Sequence, residues 1–390
     1  MGMVEVSRPD MIASSTFSNA RVALAHHWMM SMRGGEKVLE QICQVVPDAP
    51  IYTLVAEPGK LSSILRGHPI HTSWLQRLPG GARHYKKLLP LFPAAVSALR
   101  VEGPVDVVIS SDASVIKGLA IPPGVPHLCY CYSPPRYLWD MQKEYAESAE
   151  VGGPVGRAVF DFVAPYVREF DRRAAGRVTH FAAISEFVRQ RIQAAYGREA
   201  EVIYPPVALD EFVVAKEKPE DFYLVVSQLV PYKRIDLAVE AFNRMKRRLI
   251  VIGEGSERAR LEKLAGPTVT FLGPQPLPVL RDHFQRGRAL IFPGVEDFGI
   301  TPLEAQASGR PVIAYRMGGA LETVRENVTG LFFDAQTVES LADAVRRLEE
   351  MEFNPAECRS NAERFAPEHF RANFTTWLVK SLQVSGRAGK

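Results

Sequence analysis

Short, continuous apolar runs alternate with longer amphipathic runs along almost the whole chain, in two successive series. The first series is RVALAHH (21–27), IYTLV (51–55), VDVVISS (105–111), HLCYCY (127–132), VTHFAAIS (178–185) and EVIYPPV (201–207). The second is FYLVVSQ (222–228), RLIVIG (248–253), TVTFLG (268–273), ALIFPG (289–294), PVIAY (311–315) and GLFFD (330–334). Helical patterns separate them, among them EKVLEQICQVV (36–46), EFVRQRIQAAY (186–196), IDLAVEAFNRM (235–245) and SLADAVRRLEEM (340–351). A strand that is apolar at every position is covered on both faces, and alternation with helices makes its sheet parallel. Two such series predict an α/β chain of two doubly wound, Rossmann-like domains. A length of 390 residues accommodates both.

The polar segment VVAKEKPEDF (213–222) reads as the linker between them. The expected division is a disordered tail at 1–18, a first domain over 19–212 and a second over 213–365. A closing amphipathic helix, EHFRANFTTWLVKSL (368–382), falls in the remaining segment 366–384, and about the last six residues read as unstructured.

Charge and cysteine usage exclude several classes. Lys and Arg number 47 against 44 Asp and Glu, too small an excess to point to nucleic acid. The four cysteines form neither a disulfide framework nor a zinc pattern, and Cys129-x-Cys131 has no second pair. Free thiols fit a reducing cytoplasm. The opening residues have no apolar h-region, and Val6 breaks the myristoylation pattern. The most apolar window, Leu88–Leu99, contains Pro90 and Pro93 and is far short of the roughly 20 residues of a membrane span.

Open α/β sheets bind ligands beyond the carboxyl ends of their strands, so the informative residues follow the apolar runs. The strongest segment is GVEDFGITPLEAQASGRPVIAY (294–315), with Glu296 just after a strand and Glu304 eight positions later. Thr301, Pro302 and Glu304 read as N-cap, first-turn and N3 residues of a helix. Two readings stand side by side. Thr301-x-x-Glu304 is a capping box, or the helix start points free amides of Phe298, Gly299 and Ile300 at a bound group. Lys233 lies after a strand and before a helix, an address suited to phosphate, although PYKRID also reads as a solvated loop. Gly34-Gly35 precede a helix expected to start near Glu36, where backbone amides cradle a phosphate or simply make a tight turn. His26 and His27 end the first strand at the cleft mouth, as acid–base groups or as plain polar strand ends. GEGSER (253–258) misses the third glycine of a dinucleotide fingerprint. No D-x-D or H-E-x-x-H occurs, and metal-independent chemistry is expected, with no metal ligands and no cofactor.

The segment 294–315 resembles the E-x7-E signature of retaining glycosyltransferases of family 4, which have the GT-B fold. VSQLVPYKRIDLAVEAF (226–242), VIGEGSE (251–257), FLG (271–273) and GGALETVRENVTGLFF (318–333) agree with it in order and spacing. MRGGEKVLE (32–40), PPRYLWD (134–140) and EVIYPPVALDEF (201–212) resemble a bacterial subgroup of GDP-mannose-dependent mannosyltransferases.

The resemblance implies two Rossmann-like domains facing a cleft, an acceptor domain first and a nucleotide-sugar donor domain second, with the closing helix crossing back to the first. It implies that Glu304 binds ribose hydroxyls and Glu296 donor-sugar hydroxyls. Phe298, Gly299 and Ile300 would offer backbone amides, and Lys233 would neutralise the diphosphate. Gly34, Gly35, Arg234 and Gly253 complete the expected donor contacts. His26, Tyr132 and Arg136 are the expected acceptor contacts, with Glu296, Lys233 and His27 the expected catalytic set. The implied reaction moves a hexose, mannose from GDP-mannose, to a saccharide or lipid-linked saccharide in cell-surface polysaccharide synthesis. The implied partners are that nucleotide-sugar co-substrate and the acceptor, not nucleic acid.

The chain departs from the family at Gln228, where an arginine is usual, and at Ala113 and Tyr132, where histidines are usual. Arg234 is a candidate to replace the missing arginine. These departures keep a non-catalytic homologue open beside the enzyme. A UDP-sugar donor stays open because the base pocket is not readable from the chain, and a sugar-nucleotide epimerase is a third alternative.

Between Pro58 and Val101 there is no Asp or Glu, but there are Lys60, Arg66, Arg77, Arg83, Lys86, Lys87 and Arg100. Aromatic and apolar residues interleave with them. This stretch reads as a solvated basic helical face, or as a surface for anionic lipid on the inner face of the cytoplasmic membrane.

Overall fold

A computed structural model of the protein describes residues 20–142, 145 and 153–384. The tails expected at 1–18 and over the last six residues lie outside the described residues. The chain forms two compact units. One takes the chain up to Pro206 together with the segment from Pro367 onward, and the other is Val207–Ala366.

The first unit is built on a seven-stranded sheet. Its strands are β1 (Val22–His26), β2 (Ile51–Thr53), β3 (Ile70–Thr72), β4 (Val107–Asp112), β5 (His127–Cys131), β6 (His180–Ala183) and β7 (Ala200–Val202). Their spatial order is β3-β2-β1-β4-β5-β6-β7, all parallel. β1, β4 and β5 are buried at every residue, as their continuous apolar runs require. β3 is an addition to the expected strands. It is a three-residue edge strand, Ile70–Thr72, with none of its side chains buried, so it leaves no apolar run to read. Helix α1 (Gly34–Val45) buries Val38, Leu39, Ile42 and Cys43 at helical spacing. α2 (Gly153–Arg177) and α3 (Glu186–Tyr196) follow, and α3 starts on Ser185, whose hydroxyl accepts from the Val188 amide.

The acid-free stretch folds as short pieces rather than one helical face: turns of 3-10 helix at Pro58–Lys60, Trp74–Arg77 and Tyr85–Leu91, with short helices at Ser63–Arg66 and Phe92–Ala98. Prolines 58, 79, 90 and 93 prevent a longer helix. All seven of its basic side chains are exposed, while Leu75, Phe92, Ala95 and Val96 join the core.

The second unit has six parallel strands. They are β8 (Tyr223–Val226), β9 (Leu249–Ile252), β10 (Val269–Gly273), β11 (Leu290–Phe292), β12 (Val312–Tyr315) and β13 (Gly330–Phe333). The order is β10-β9-β8-β11-β12-β13. Its helices include α4 (Ile235–Met245), α5 (Ile300–Ala307), α6 (Val338–Glu349) and α7 (Pro355–Glu363). α4 and α6 share one core with the sheet through Leu237, Phe242, Leu341 and Val345.

The final helix, α8 (Pro367–Val384), belongs to the first unit. Its Phe370 and Phe374 rings pack edge-on against Tyr130 of β5, with centroids 5.7 and 6.0 Å apart.

The units divide at Pro206/Val207, ahead of the expected 212/213. The Val207 amide donates to the Phe365 carbonyl at 2.9 Å, and Arg359 donates to the carbonyls of Leu209 and Phe212. The segment 213–222 is no free linker. Arg310 donates to the Glu217 carbonyl, and Glu220 pairs with Arg286 at 2.8 Å.

Each sheet reverses its strand order beside its first strand, between β1 and β4 and between β8 and β11. The carboxyl ends at such a reversal are where open α/β sheets leave a crevice for ligands.

Candidate active site

In the second unit the reversal lies between the loops that follow β8 and β11. The first carries Gln228, exposed, then a turn of 3-10 helix at Pro231–Lys233. The second carries Glu296. The two loops touch through an ion pair between Lys233 Nζ and Glu296 Oε1. Both side chains are mostly buried, at 13% and 23% exposure, so the pair is weakly screened yet within reach of a ligand. The lysine ammonium also lies 5.3 Å from the Tyr232 ring centroid.

Arg234 has a left-handed backbone, φ 52°. It turns its guanidinium to Asp236 and Gln336, each at 3.3 Å.

α5 begins at Ile300 on Gly299, φ +96°, so Thr301 is inside the first turn rather than capping it. The expected capping box is therefore not formed, and Glu304 stands on the second turn, half-buried. Phe298 is buried against Phe365 at a centroid distance of 5.5 Å. Gly253 uses its amide within the sheet, donating to the Gly273 carbonyl at 3.0 Å.

In the first unit the reversal gathers His26, His27, Ser111 and Tyr132. His26 and His27 are not at an open mouth. They are 0% and 6% exposed, with ring centroids 4.1 Å apart. Burial, reinforced for His26 by the neighbouring His27, pushes both below the ordinary histidine pKa, so both are neutral near pH 7. His26 Nδ1 is 3.1 Å from Ser111 Oγ, which is 2.7 Å from Tyr132 Oη. Tyr132 donates to the Gly35 carbonyl at 2.9 Å. Gly34 and Gly35 do not precede α1 but open it, and the Glu36 carboxylate accepts from the Arg33 amide at its start. Arg136 lies in the turn after β5, half-buried, and its carbonyl accepts from the Met141 amide.

Residues 208–365, nearly the whole second unit, match the family model described as Glycosyl transferases group 1. The second unit is a glycosyltransferase group 1 domain. The chain is 33% identical over 215 residues to a GDP-mannose-dependent alpha-(1-6)-phosphatidylinositol monomannoside mannosyltransferase of Mycobacterium tuberculosis. That alignment covers 47% of this chain and 56% of the relative, so the chain spans about half the length of the curated relatives it matches. Two solved structures share the fold. HepE of Anabaena, in complex with UDP, is 14% identical with a TM-score of 0.68, over 92% of this chain and all of that one. Sucrose-phosphate synthase of Thermosynechococcus elongatus is 18% identical with a TM-score of 0.64, over 94% and 98%. The chain, with its two parallel-sheet α/β units, thus has the GT-B fold.

Within the group 1 domain, two glycines outside the expected site set its shape. A Cβ on Gly294 would lie 2.8 Å from Lys233 Cα, so only glycine lets the β11 loop approach the lysine. A Cβ on Gly319 would lie 2.3 Å from Phe298 Cα, and the Gly319 amide donates to the Glu296 carbonyl at 2.8 Å.

Sequence reasoning also missed a buried charge cluster in the first unit. Lys117 Nζ is 3.2 Å from Asp112 Oδ2 at the end of β4 and forms a second ion pair with Asp171 of α2. Trp139 and Tyr196 donate to Asp171 at 2.9 and 2.7 Å. Burial, the largest influence on Lys117, favours the neutral amine. The two carboxylates more than offset it and raise its pKa well above the ordinary value. The signal available was the polar ending Ser110-Ser111-Asp112 on an otherwise apolar strand. Asp171, some 60 residues on, gave none.

Among the described residues, no helix is long and apolar enough to cross a membrane.

Proposed function

We propose that the chain is a retaining, metal-independent glycosyltransferase that moves mannose from GDP-mannose to a saccharide or lipid-linked saccharide in cell-surface polysaccharide synthesis. The observation that carries the reading is the Lys233–Glu296 pair at the strand-order reversal of a group 1 domain. A departing nucleoside diphosphate gathers negative charge, and a half-buried ammonium stabilises it strongly because the surroundings are dry. Glu296, its partner, is the carboxylate nearest that charge and accepts hydrogen bonds from sugar hydroxyls. Glu304 takes the ribose hydroxyls, and the leaving phosphate takes the acceptor proton. The GDP-mannose named for the mycobacterial relative supports the donor. The exposed basic residues of 58–101 support peripheral attachment to anionic lipid at the cytoplasmic face.

The test is a thermal-shift panel of GDP, UDP, ADP and their sugar conjugates on the wild type and Glu304→Ala. A ligand at 100 times its Kd adds about 2.7 kcal/mol, a shift of several degrees. GDP and GDP-mannose shift the wild type and not the variant. A response to UDP compounds alone replaces the donor. No response to any nucleotide favours a non-catalytic homologue, the reading that exposed Gln228 supports.

A further inference from the structure

Two hydrogen bonds at Ser111 decide which nitrogen of each adjacent histidine carries the proton. His27 Nδ1 lies 3.4 Å from the Ser111 carbonyl oxygen. A carbonyl only accepts, so His27 Nδ1 is protonated. Tyr132 Oη and the Gly35 carbonyl are 2.9 Å apart, and only the phenol can supply the hydrogen between them. With that hydrogen committed, Ser111 must donate to Tyr132 across 2.7 Å. The Ser111 oxygen then accepts from His26, 3.1 Å away, so His26 Nδ1 is protonated as well. Both imidazoles therefore leave Nε2 as a bare lone pair. His26 Nε2 is sealed, with no hydrogen-bond partner among the described residues. His27, which keeps 6% exposure, is the ring that reaches the surface.

We propose that Ser111 is a positioning residue that locks His26 and His27 in the Nδ1–H tautomer, so that His27 Nε2 receives the hydrogen of a neutral substrate hydroxyl rather than the oxygen of an anion. A bare nitrogen attracts a donor and repels a phosphate oxygen, which has no proton to give. Ser111 uses separate atoms for the two rings, its carbonyl for His27 and its hydroxyl for His26. The hydroxyl as ligand rests on the sugar-transfer reading above; the tautomers do not.

The experiment is long-range 1H–15N NMR of the full chain labelled at histidine, with His26→Gln and His27→Gln for assignment. Near pH 7.5 both rings give the Nδ1–H pattern, and an Nε2–H pattern for either overturns the proposal. Ser111→Ala returns His26 to the tautomer mixture of free histidine and leaves His27 unchanged. Tyr132→Phe, at a half-buried position, does the same if the serine variant fails to fold. A His26 pattern unmoved by either variant overturns the role of Ser111. Methyl α-mannoside and inorganic pyrophosphate are the ligand probes. The mannoside moves the His27 Nε2 resonance and pyrophosphate does not; a response to pyrophosphate alone, or to neither, overturns the hydroxyl assignment. Locked tautomers and a mannoside response without sugar transfer would leave this inference standing and defeat the proposed function.

Discussion

His127 makes the acid stability of the first unit calculable. It begins β5 with its side chain 3% exposed, and Nε2 is 2.8 Å from Ser110 Oγ. Burial lowers its pKa from 6.5 to about 3. A depressed histidine pKa means the unfolded chain binds the proton more readily than the folded one. Its contribution is therefore intact above pH 6.5 and lost progressively from there down to about pH 3. At pH 5 the unfolded ring is almost fully protonated and the folded ring is not, a loss of about 2 kcal/mol relative to pH 7. His127→Gln keeps a side-chain N–H donor and removes the titration. All four tryptophans, at 28, 74, 139 and 377, belong to the first unit, so their fluorescence in urea reports that unit. Between pH 7 and pH 5 the wild type loses about 2 kcal/mol more than His127→Gln. Equal losses in the two proteins would refute the argument, since other buried histidines contribute identically to both.

Other outcomes are as definite. Lys117→Met leaves two buried carboxylates facing one another and destabilises the first unit by about 3–5 kcal/mol, seen as a lower urea midpoint. Gly319→Ala drives a methyl into the Phe298 backbone and prevents soluble expression of a folded group 1 domain, whereas Gly35→Ala, whose nearest neighbour would be 3.5 Å away, folds normally by circular dichroism. On the proposed function, Lys233→Ala lowers kcat by about 10²–10³-fold with little change in melting temperature, measured as sugar transfer.

The apolar runs carried both sheets because parallel strands covered on two faces must be apolar throughout, as in β1 and β8. β3 escaped because an edge strand of Ile-His-Thr has no such need. α5 takes its cap two residues ahead of the expected one: Thr301-Pro302 is a strong local start, yet Gly299 takes a positive φ and caps the helix instead. Lys233 and Glu296 were legible as strand-end residues, but their pairing was not, because it depends on Gly294 being small. The Asp112–Lys117–Asp171 cluster was invisible for a related reason. Asp171 is joined to the other two by the packing of α2 against the 3-10 turn Ile116–Gly118 that follows β4, and no spacing along the chain encodes that.

The placement of α8 with the first unit has a consequence for synthesis. The first unit is interrupted by Val207–Ala366 and lacks its last helix until those residues have left the ribosome. At 5–20 residues per second the wait is about 10–30 s. Over that interval Phe370 and Phe374, both buried in the finished fold, do not yet exist to cover Tyr130. The group 1 domain, contiguous in the chain, is complete first. The nascent protein therefore matures in the reverse of its sequence order, and its amino-terminal half is the part that calls for chaperone cover.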